Sequence, residues 1–247
     1  MHIDELTKGA PEFIQFLEAA KQKITPRDFE WYPYGSLYNV FHLDKLLTGE
    51  QRDLGRLIGA GRVADIGAAD GELAFYLERH GARMDVVDNA PTNFNGLRGV
   101  RALKESLGSS VRVHEVDLDS QFRLPEENYG LVLFLGILYH LKNPYFVLEE
   151  LSKRANYCAL STRIARRTPD ARAELAPYPL AYLVGPAELN NDATNFWIFS
   201  EGGLRRILDR TGWNIEAFIT LGDTVDSDPV RNDERAFCLL KSRRRGA

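Results

Sequence analysis

Short apolar runs alternate with stretches of helical spacing between residues 61 and 164, and this alternation admits only a few folds. Apolar runs of about four to eight residues that stop at glycine or polar residues are typical of buried strands. Strands that alternate strictly with helices favour a parallel sheet covered on both faces. Because two more runs follow near the end, we predict a doubly wound α/β fold with a mostly parallel sheet of seven strands. The predicted strands lie at residues 62–67, 82–88, 111–118, 129–136, 156–164, 213–220 and 234–242. The predicted helices lie at 11–23, 71–81, 92–108, 143–155 and 200–212, and residues 42–58 are predicted to form one or two helical segments.

Two parts of the chain stand outside this alternation. Residues 1–60 combine helical spacing, with Pro11 suited to the first turn of a helix, and an aromatic stretch at 31–38. Residues 163–199 carry prolines and several arginines and break the rhythm after the fifth strand. We therefore predict an N-terminal helical and aromatic cap over 1–60 and one ligand-binding α/β domain over 61–247, with an insertion at 163–199.

Charge and cysteine content argue against several classes of protein. The 247-residue chain carries 31 Lys and Arg against 35 Asp and Glu, whereas a protein that coats nucleic acid usually has a basic excess. Cys158 and Cys238 lie in apolar runs without the spacing of a metal site, so we expect buried, reduced thiols and no metal ion. No apolar run approaches the roughly 20 residues of a membrane span, and the N-terminus lacks the pattern of a signal peptide. We expect a cytoplasmic protein that does not contact membranes.

The loop after the first predicted strand reads DIGAADG from Asp65 to Gly71 and leads directly into a helix. Its small residues let the backbone turn sharply and let a ligand approach the main chain. In open α/β sheets, ligands bind outside the carboxyl ends of the strands. Asp88 ends the second strand, where a carboxylate can accept both hydrogen bonds from a ribose diol. The predicted cofactor-binding residues here are Asp65, Gly67, Ala68, Gly71, Asp88 and its neighbour Asn89.

The acids and glycines of this loop separate two classes of cofactor. Dinucleotide enzymes prefer G-x-G-x-x-G, whose helix N-terminus faces a pyrophosphate, and the loop lacks that pattern. The acids Asp65 and Asp70 suit a cationic sulfonium ligand better than a pyrophosphate. The pattern D-x-G-x-x-x-G resembles motif I of class I S-adenosylmethionine-dependent methyltransferases, although that family often has glycine where Ala69 stands. The resemblance implies a Rossmann-like methyltransferase fold and S-adenosyl-L-methionine as the cofactor.

The ends of the third and fourth strands supply further candidates. The resemblance implies that the end of the third strand lies near the adenine and that the end of the fourth strand faces the transferred methyl group. Gly136 permits close approach of a ligand to the backbone. Imidazole is suited to proton transfer near neutral pH, so His140 is either a base or a structural residue. The predicted cofactor residues at these ends are Asp117, Leu118, Leu135 and Gly136, and the predicted catalytic residues are Tyr139 and His140.

The stretch GILYHLKNP at 136–144 resembles the G-x-L-Y-H-x-x-x-P segment of the bacterial tRNA wobble-uridine carboxymethyltransferases and their methyltransferase relatives. The resemblance covers most of the chain, and it implies that Tyr139 and Arg235 lie near the methionine end of the cofactor or near the substrate. The carboxymethyl-transferring members have a lysine in their aromatic N-terminal segment. We find no equivalent lysine in the aromatic segment of this chain, and Lys45 is the nearest basic candidate further on. We therefore predict transfer of a plain methyl group.

Aromatic and basic side chains elsewhere are candidates for contact with the substrate. The aromatic stretch is either a lid, because aromatic faces attract cations such as a sulfonium, or a cap packed on the sheet edge. The segment 195–197 carries the same two interpretations. The arginines between 163 and 172 either bind an anionic group or are solvated charges, and those at 243–245 are expected to form a solvated end. The predicted substrate residues are Trp31, Tyr34, Tyr38, Arg163, Asn195, Trp197 and Arg235.

The preferred function is methyl transfer to an oxygen, nitrogen or carbon of an acceptor. The acidic charge balance favours a small-molecule acceptor, whereas the resemblance at 136–144 favours a tRNA wobble uridine, and we prefer the small molecule. A nicotinamide-dependent oxidoreductase and a non-catalytic cofactor-binding protein are alternatives from other classes. The missing dinucleotide pattern argues against the oxidoreductase.

Overall fold

The computed structural model describes residues 1–120 and 122–244, which contain seven α-helices and nine β-strands. The helices are α1 (Ile3–Lys23), α2 (Asn39–Leu46), α3 (Leu54–Ile58), α4 (Glu72–Arg79), α5 (Arg98–Leu107), α6 (Pro144–Arg154) and α7 (Glu201–Arg210). The strands are β1 (Arg62–Ile66), β2 (Met84–Asp88), β3 (Arg112–Glu115), β4 (Tyr129–Leu135), β5 (Ala155–Ile164), β6 (Ala181–Leu183), β7 (Trp197–Phe199), β8 (Trp213–Gly222) and β9 (Glu234–Ser242). All seven predicted strands are confirmed, and β6 and β7 are two additional strands within the predicted insertion.

The chain divides into two compact units, of which the first comprises Met1–Asp117 and Arg123–Leu133. In this unit β3, β2, β1 and β4 as far as Leu133 lie side by side in that order, and all are parallel. The central strands β1 and β4 are almost wholly buried, as expected for parallel strands covered on both faces. Because parallel strands start at one edge and end at the other, their carboxyl ends form a common edge, which positions the candidate site.

A buried carboxylate joins the amino ends of these four strands. Asp85 of β2 is fully buried, and it accepts hydrogen bonds from Arg62 of β1 (2.8 Å), Arg112 of β3 (2.6 Å) and the hydroxyl of Tyr129 of β4 (2.8 Å). Burial alone would raise the pKa of Asp85, yet the bonds from Arg112 and Arg62 outweigh it and hold the pKa below its usual value. The amino edge of the sheet is therefore held by a satisfied charge network.

Helix α1 begins eight residues before the predicted start at residue 11, so the placement of Pro11 in the first turn was wrong. His2 caps the helix and forms a capping box with Glu5. The buried face starts at Ile3 and Leu6 and continues on both sides of the exposed Pro11. Burial of each large apolar side chain contributes about 1.5–3 kcal/mol, which offsets the roughly 3 kcal/mol that an internal proline costs.

Helix α5 begins at Arg98, whereas the prediction placed its start at residue 92. The side-chain oxygen of Asn93 accepts the backbone N–H of Leu97 (3.0 Å), and that of Asn95 accepts the N–H of Gly99 (3.1 Å). Asparagine side chains that bond to nearby backbone groups compete with helix formation and favour turns. These bonds therefore fix residues 93–97 as a turn at the start of the helix.

The second unit comprises Leu118–Phe122 and the chain from Phe134 onward. Here β5 pairs in parallel with β7 and antiparallel with β9, and the latter register places Arg163 opposite Arg235. Strand β8 pairs antiparallel with β9, and β6 pairs antiparallel with β7. Strands β6 and β7 lie within the predicted insertion at 163–199, and their three residues each are too few to show a period in the sequence.

Three smaller predictions concern the cysteines, the membrane and the C-terminal arginines. Cys158 and Cys238 are buried and not disulfide-bonded, as predicted. Among the helices of residues 1–120 and 122–244, none is both long and apolar enough to cross a bilayer. Arg243 and Arg244 are partly exposed and contact acidic side chains, so they are not simply solvated, and Arg245 lies outside the described residues.

Candidate functional site

Three left-handed residues shape the loop between β1 and α4. Gly67, Ala69 and Gly71 have φ angles of 68°, 56° and 78°. The N–H of Gly67 donates to the carbonyl of Val87 (2.9 Å), and the N–H of Gly71 donates to the carbonyl of Ala68 (2.8 Å). Left-handed backbone costs a residue with a Cβ roughly 1–2 kcal/mol, so glycine would be the favoured residue at position 69. The loop makes a sharp turn at the carboxyl ends of β1 and β2 in spite of this alanine.

Asp65 is a buried carboxylate at the end of β1. Its side chain is 4% exposed, and Oδ2 has no hydrogen-bond partner among the described residues. Burial, followed by the nearby charge of Asp88, raises the pKa of Asp65 to about 7. Because a buried carboxylate oxygen without a partner is unfavourable, its presence at this edge indicates a ligand that is cationic or donates hydrogen bonds.

Asp88, at the end of β2, is held in place and keeps acceptor capacity. Its Oδ2 accepts from the side-chain amide of Asn93 (2.8 Å), and its Oδ1 accepts from the backbone N–H of Asn89 (2.7 Å). Burial raises the pKa of Asp88 to about 6. Since a carboxylate offers about four lone-pair sites, about two are left for the hydroxyls of a ribose. Asn89 contributes its backbone N–H, and its own side chain bonds to Thr92.

Asp70, the second acid of the loop, binds groups of the protein. Its side chain is buried and accepts the backbone N–H of Tyr32 and the side-chain amide of Asn95, each at 2.8 Å. The carboxylate therefore ties both the aromatic stretch and the turn before α5 to the loop. The sequence gives no signal for these bonds, because their partners lie far apart in the chain.

Tyr32 bonds to this loop through Asp70, although it was not among the predicted substrate residues. Its hydroxyl accepts the backbone N–H of Phe94 (2.9 Å), and its ring centroid lies 5.4 Å from those of Phe94 and Tyr34. Burial raises the pKa of Tyr32, so its phenol is neutral at pH 7. Of the predicted residues, Tyr34 and Tyr38 are 63% and 54% exposed. Tyr32 thus links the aromatic stretch to the turn that follows Asp88.

Trp31 packs in a mixed charged and aromatic cluster. The Nζ atom of Lys21 lies 5.5 Å from the centroid of its ring, and the ring of Phe29 lies 4.9 Å away. Lys21 is itself buried, and its Nζ lies 2.5 Å from a carboxylate oxygen of Glu72 in α4. This buried ion pair fastens α1 to α4. The fold therefore brings a lysine from α1 to the aromatic stretch, which contains none in sequence.

Strand β3 ends at Glu115, three residues before the predicted end at residue 118. Its neighbour β2 ends at Asp88, which pairs with Glu115, so the ladder has no partner to continue along. The N–H of Val116 still donates to the carbonyl of Asp88 (2.9 Å) before the chain turns. Asp117 is half-buried in the first unit, and Leu118 is buried in the second.

In the second unit, the side chains of Tyr139 and Arg235 lie near Gly136, which directly follows the last residue of β4. Leu135 and Gly136 are partly buried, and Gly136 has a φ angle of 79°. A Cβ added to Gly136 would lie 3.8 Å from the hydroxyl of Tyr139 and 3.9 Å from a guanidinium nitrogen of Arg235. The guanidinium of Arg235 lies 5.9 Å from the centroid of the Tyr139 ring. A side chain at position 136 would therefore occupy the space that these groups face.

The ring of His140 has a fixed orientation. Its Nδ1 lies 3.1 Å from the carbonyl oxygen of Thr194 and 3.0 Å from the hydroxyl of the same residue. That hydroxyl donates to the carboxylate of Asp192 (2.7 Å), so both oxygens of Thr194 act as acceptors toward the ring. The ring proton is therefore on Nδ1. Burial lowers the pKa of His140, which favours the neutral form at pH 7.

The segment 195–197 directs its polar atoms into the protein. Asn195 is buried, and its amide donates to the carbonyls of Leu189 and Asp192, each at 3.1 Å. The indole N–H of Trp197 donates to the carbonyl of Lys142 (3.3 Å). The bond of Trp197 holds the insertion against the segment that carries Tyr139 and His140, whereas the bonds of Asn195 stay within the insertion.

The arginines that follow β5 differ in their pairing. Arg166 makes two bonds to the fully buried Glu234 (2.8 and 2.6 Å), and Arg167 lies 2.7 Å from Asp226. Arg163 is 5% exposed, and its Nε has no partner among the described residues. Of this predicted group, Arg163 is the member whose hydrogen-bonding capacity is incompletely used.

A family model described as a methyltransferase domain matches residues 38–217 of the chain. The chain belongs to this methyltransferase family. It is an S-adenosylmethionine-dependent methyltransferase, and the predicted cofactor is confirmed. The match is to the broad family and does not single out the wobble-uridine enzymes. No curated protein matches the chain significantly.

Solved structures share the fold at low sequence identity. The N-terminal domain of EvdMO1 with SAH bound is 15% identical, with a TM-score of 0.57 over 92% of this chain and 95% of that one. The same domain in the presence of SAH and D-fucose is 16% identical, with a TM-score of 0.54 over 78% and 81%. The 4+2 cyclase SpnF is 11% identical, with a TM-score of 0.57 over 93% and 92%. The methyltransferase spans 40% of the longer EvdMO1 chain, and these likenesses confirm the Rossmann-like fold.

The carboxyl ends of β1 and β2 fit the family's cofactor. The unpartnered, buried oxygen of Asp65 suits a ligand with a positive charge, which the sulfonium and ammonium groups of S-adenosylmethionine carry. The remaining lone pairs of Asp88 suit the ribose diol. Glycine at positions 67 and 71 allows the positive φ angles of this turn.

Proposed function

We propose that this methyltransferase transfers a plain methyl group to an oxygen or nitrogen of a small molecule, with His140 as the base that removes the proton of the acceptor. The orientation of the His140 ring carries the proposal. Because its Nδ1–H donates to Thr194, the neutral ring keeps a lone pair on Nε2. A neutral, half-buried imidazole with its tautomer fixed by a backbone carbonyl is suited to general base catalysis.

We assign cofactor binding to the carboxyl edge of the first unit. Asp88 would accept the two ribose hydroxyls, and Asp65 would face the positive charge of the ligand. Tyr32 would hold the aromatic stretch over the turn after Asp88, because its hydroxyl bonds to Phe94. The cofactor supplies a methyl group activated by a positively charged sulfur, so the protein mainly has to hold the acceptor in line and close by. Asp117, Leu118, Leu135 and Gly136 remain predicted contacts.

Charge favours a small acceptor over tRNA. The chain carries a net charge of −4, and Arg166 and Arg167 are neutralised by Glu234 and Asp226. A surface that follows a phosphate backbone needs accessible arginines and lysines whose charge is not matched. The EvdMO1 domain, which shares the fold, was crystallised in the presence of D-fucose, a small molecule with hydroxyl groups.

Labelled cofactor tests the proposal. The purified protein is incubated with methyl-labelled S-adenosylmethionine and, separately, with a low-mass metabolite fraction and with bulk tRNA. We expect label in the low-mass fraction, S-adenosylhomocysteine as co-product, and loss of transfer in H140Q with retained cofactor binding. Label in tRNA would contradict the small-molecule acceptor. Because a cyclase has the same fold, cofactor binding without S-adenosylhomocysteine in either incubation would contradict methyl transfer itself.

A further inference from the structure

We propose that the acceptor carries an anionic group, a carboxylate or a phosphate, which Arg163 and Arg235 bind. This inference rests on the proposed function, because it names a chemical feature of the acceptor. The two arginines lie on neighbouring strands, β5 and β9, and are directly opposite each other in the antiparallel register. Like charges directly opposite each other on paired strands are destabilising, and a bound anion would reduce this repulsion.

Arg163 is the buried member of the pair. Its side chain is 6% exposed, one terminal nitrogen donates to the backbone carbonyl of Asp228 (3.1 Å), and the other lies 3.3 Å from Asp233. Its Nε has no hydrogen-bond partner among the described residues. Burial lowers the pKa of Arg163, which means that the surrounding protein groups compensate its charge incompletely. Buried guanidinium N–H groups are normally paired, so this one is suited to an external acceptor.

Arg235 shares its only close carboxylate with Arg163 within the described part of the chain. The Nε of Arg235 donates to one oxygen of Asp233 (3.1 Å), whose other oxygen faces Arg163. The nearby Asp228 directs its carboxylate to the backbone N–H groups of residues 230–232. Two guanidinium groups are therefore placed around a single, half-exposed carboxylate.

The neighbouring arginines, Arg166 and Arg167, each form an ion pair with a carboxylate of the protein. Arg166 bonds to both oxygens of the buried Glu234, which also accepts the hydroxyl of Ser227, and Arg167 pairs with the exposed carboxylate of Asp226. The planar guanidinium fork matches the two oxygens of a carboxylate or phosphate. The unpartnered Nε of Arg163, together with the sharing of the Asp233 carboxylate by Arg163 and Arg235, indicates a binding function for these two.

The pair adjoins the predicted catalytic residues of its own unit. Arg235 faces the ring of Tyr139, and its Nη1 lies beside the space left by Gly136. The ring centroid of His140 lies 4.3 Å from that of Tyr139, so Tyr139 connects Arg235 to His140. An acceptor whose anionic end binds the arginines would therefore place its neutral part near Tyr139 and His140.

Inorganic phosphate and acetate are the probes for this site. Binding to the whole protein is measured at constant ionic strength, by phosphorus NMR for phosphate and by displacement of phosphate for acetate. We expect R163Q to weaken phosphate binding by about tenfold or more, because charged hydrogen bonds are lost, and R163K to retain part of it. R172Q is the matched control, since Arg172 is 87% exposed, and it should bind phosphate as the wild type does. Equal binding by R163Q and R172Q would overturn the proposal.

A second arm separates the acceptor from the cofactor. S-adenosylmethionine also carries a carboxylate, so phosphate binding is repeated with the cofactor at saturation. Phosphate that still binds supports an acceptor site, whereas phosphate that is displaced assigns the arginines to the cofactor and overturns the proposal. R235Q, with a more exposed side chain, provides the same test if R163Q does not fold. If the wild type binds S-adenosylmethionine but no phosphate or acetate, this inference fails and the proposed function stands.

Discussion

The two edges of the parallel sheet in the first unit treat buried carboxylates in opposite ways. At the amino edge, Asp85 bonds to two arginines and a tyrosine, and its pKa is held below the usual value. At the carboxyl edge, Asp65 has an unpartnered oxygen, and burial raises the pKa of Asp65 and Asp88 to about 7 and 6. The same residue type therefore stabilises one edge and destabilises the other.

This contrast separates stability from binding. A carboxylate whose partners come from neighbouring strands aligns those strands, and the protein needs no ligand to satisfy it. A carboxylate that is buried without partners is a cost that a ligand can remove. The difference identifies the carboxyl edge as the binding edge on physical grounds, in agreement with the general rule for open α/β sheets.

The largest expected effect is on stability at the amino edge. D85N removes the charge that Arg62 and Arg112 share and leaves both without their common partner, so we expect the free energy of unfolding to fall by about 3 kcal/mol. Urea denaturation measures it. D88N is the matched control, since it is the same substitution at the other end of β2, and it should not lower stability. An equal loss in both variants would remove the contrast between the edges.

The next effect is on cofactor affinity at the carboxyl edge. D88N keeps the size of the side chain but loses the charge and half of the acceptor capacity, so we expect about a 10–100-fold weaker affinity for S-adenosylmethionine. Calorimetric titration measures the dissociation constant. Folded R112K, altered at the amino edge, should retain the wild-type value. An unchanged constant in D88N would show that Asp88 does not bind the ribose.

A smaller expected effect is a gain in stability at the carboxyl edge, opposite in sign to the loss expected for D85N. D65N removes the unpartnered charge, so we expect the unfolding free energy at pH 8 to rise by about 1–2 kcal/mol while cofactor affinity falls. Unfolded Asp65 ionises near its ordinary pKa of 3.8, whereas folded Asp65 ionises only near 7. Rising pH therefore lowers wild-type stability through this group, and the gain in D65N should grow between pH 4 and pH 8. A constant difference across that range would contradict the raised pKa.

The smallest effect concerns the loop itself. Ala69 has a φ angle of 56°, so A69G should raise the free energy of unfolding by about 1 kcal/mol and leave cofactor affinity unchanged. A68G is the control, because Ala68 is not left-handed and glycine there should lower stability slightly. Both values come from urea denaturation. Stabilisation by A68G rather than A69G would contradict the loop geometry.

The strand pattern could be predicted from the sequence because long apolar runs carry a clear signal. The seven predicted strands are present, whereas β6 and β7 are too short to show a period. The start of α5 depends on bonds from Asn93 and Asn95 that local propensity does not reveal. The start of α1 was predictable in principle, since Ile3 and Leu6 continue the apolar spacing, but Pro11 outweighed that signal in the prediction.

The candidate site also contains residues that could be predicted from the sequence and residues that could not. Asp65 and Asp88 were predictable because they end strands, and strand ends meet at one edge of the sheet. The contacts of Tyr32 and Lys21 join segments that are distant in the chain, so no local pattern contains them. The incomplete pairing of Arg163 could not be predicted, because it is recognised only by comparison with Arg166 and Arg167, which pair with Glu234 and Asp226.

The most direct test of the account is a crystal structure of the protein with S-adenosylhomocysteine. We expect the nucleoside at the carboxyl ends of β1 and β2, with both ribose hydroxyls within hydrogen-bond distance of the Asp88 carboxylate. A nucleoside bound elsewhere, with the carboxylates of Asp65 and Asp88 unchanged, would contradict the assignment of the binding edge.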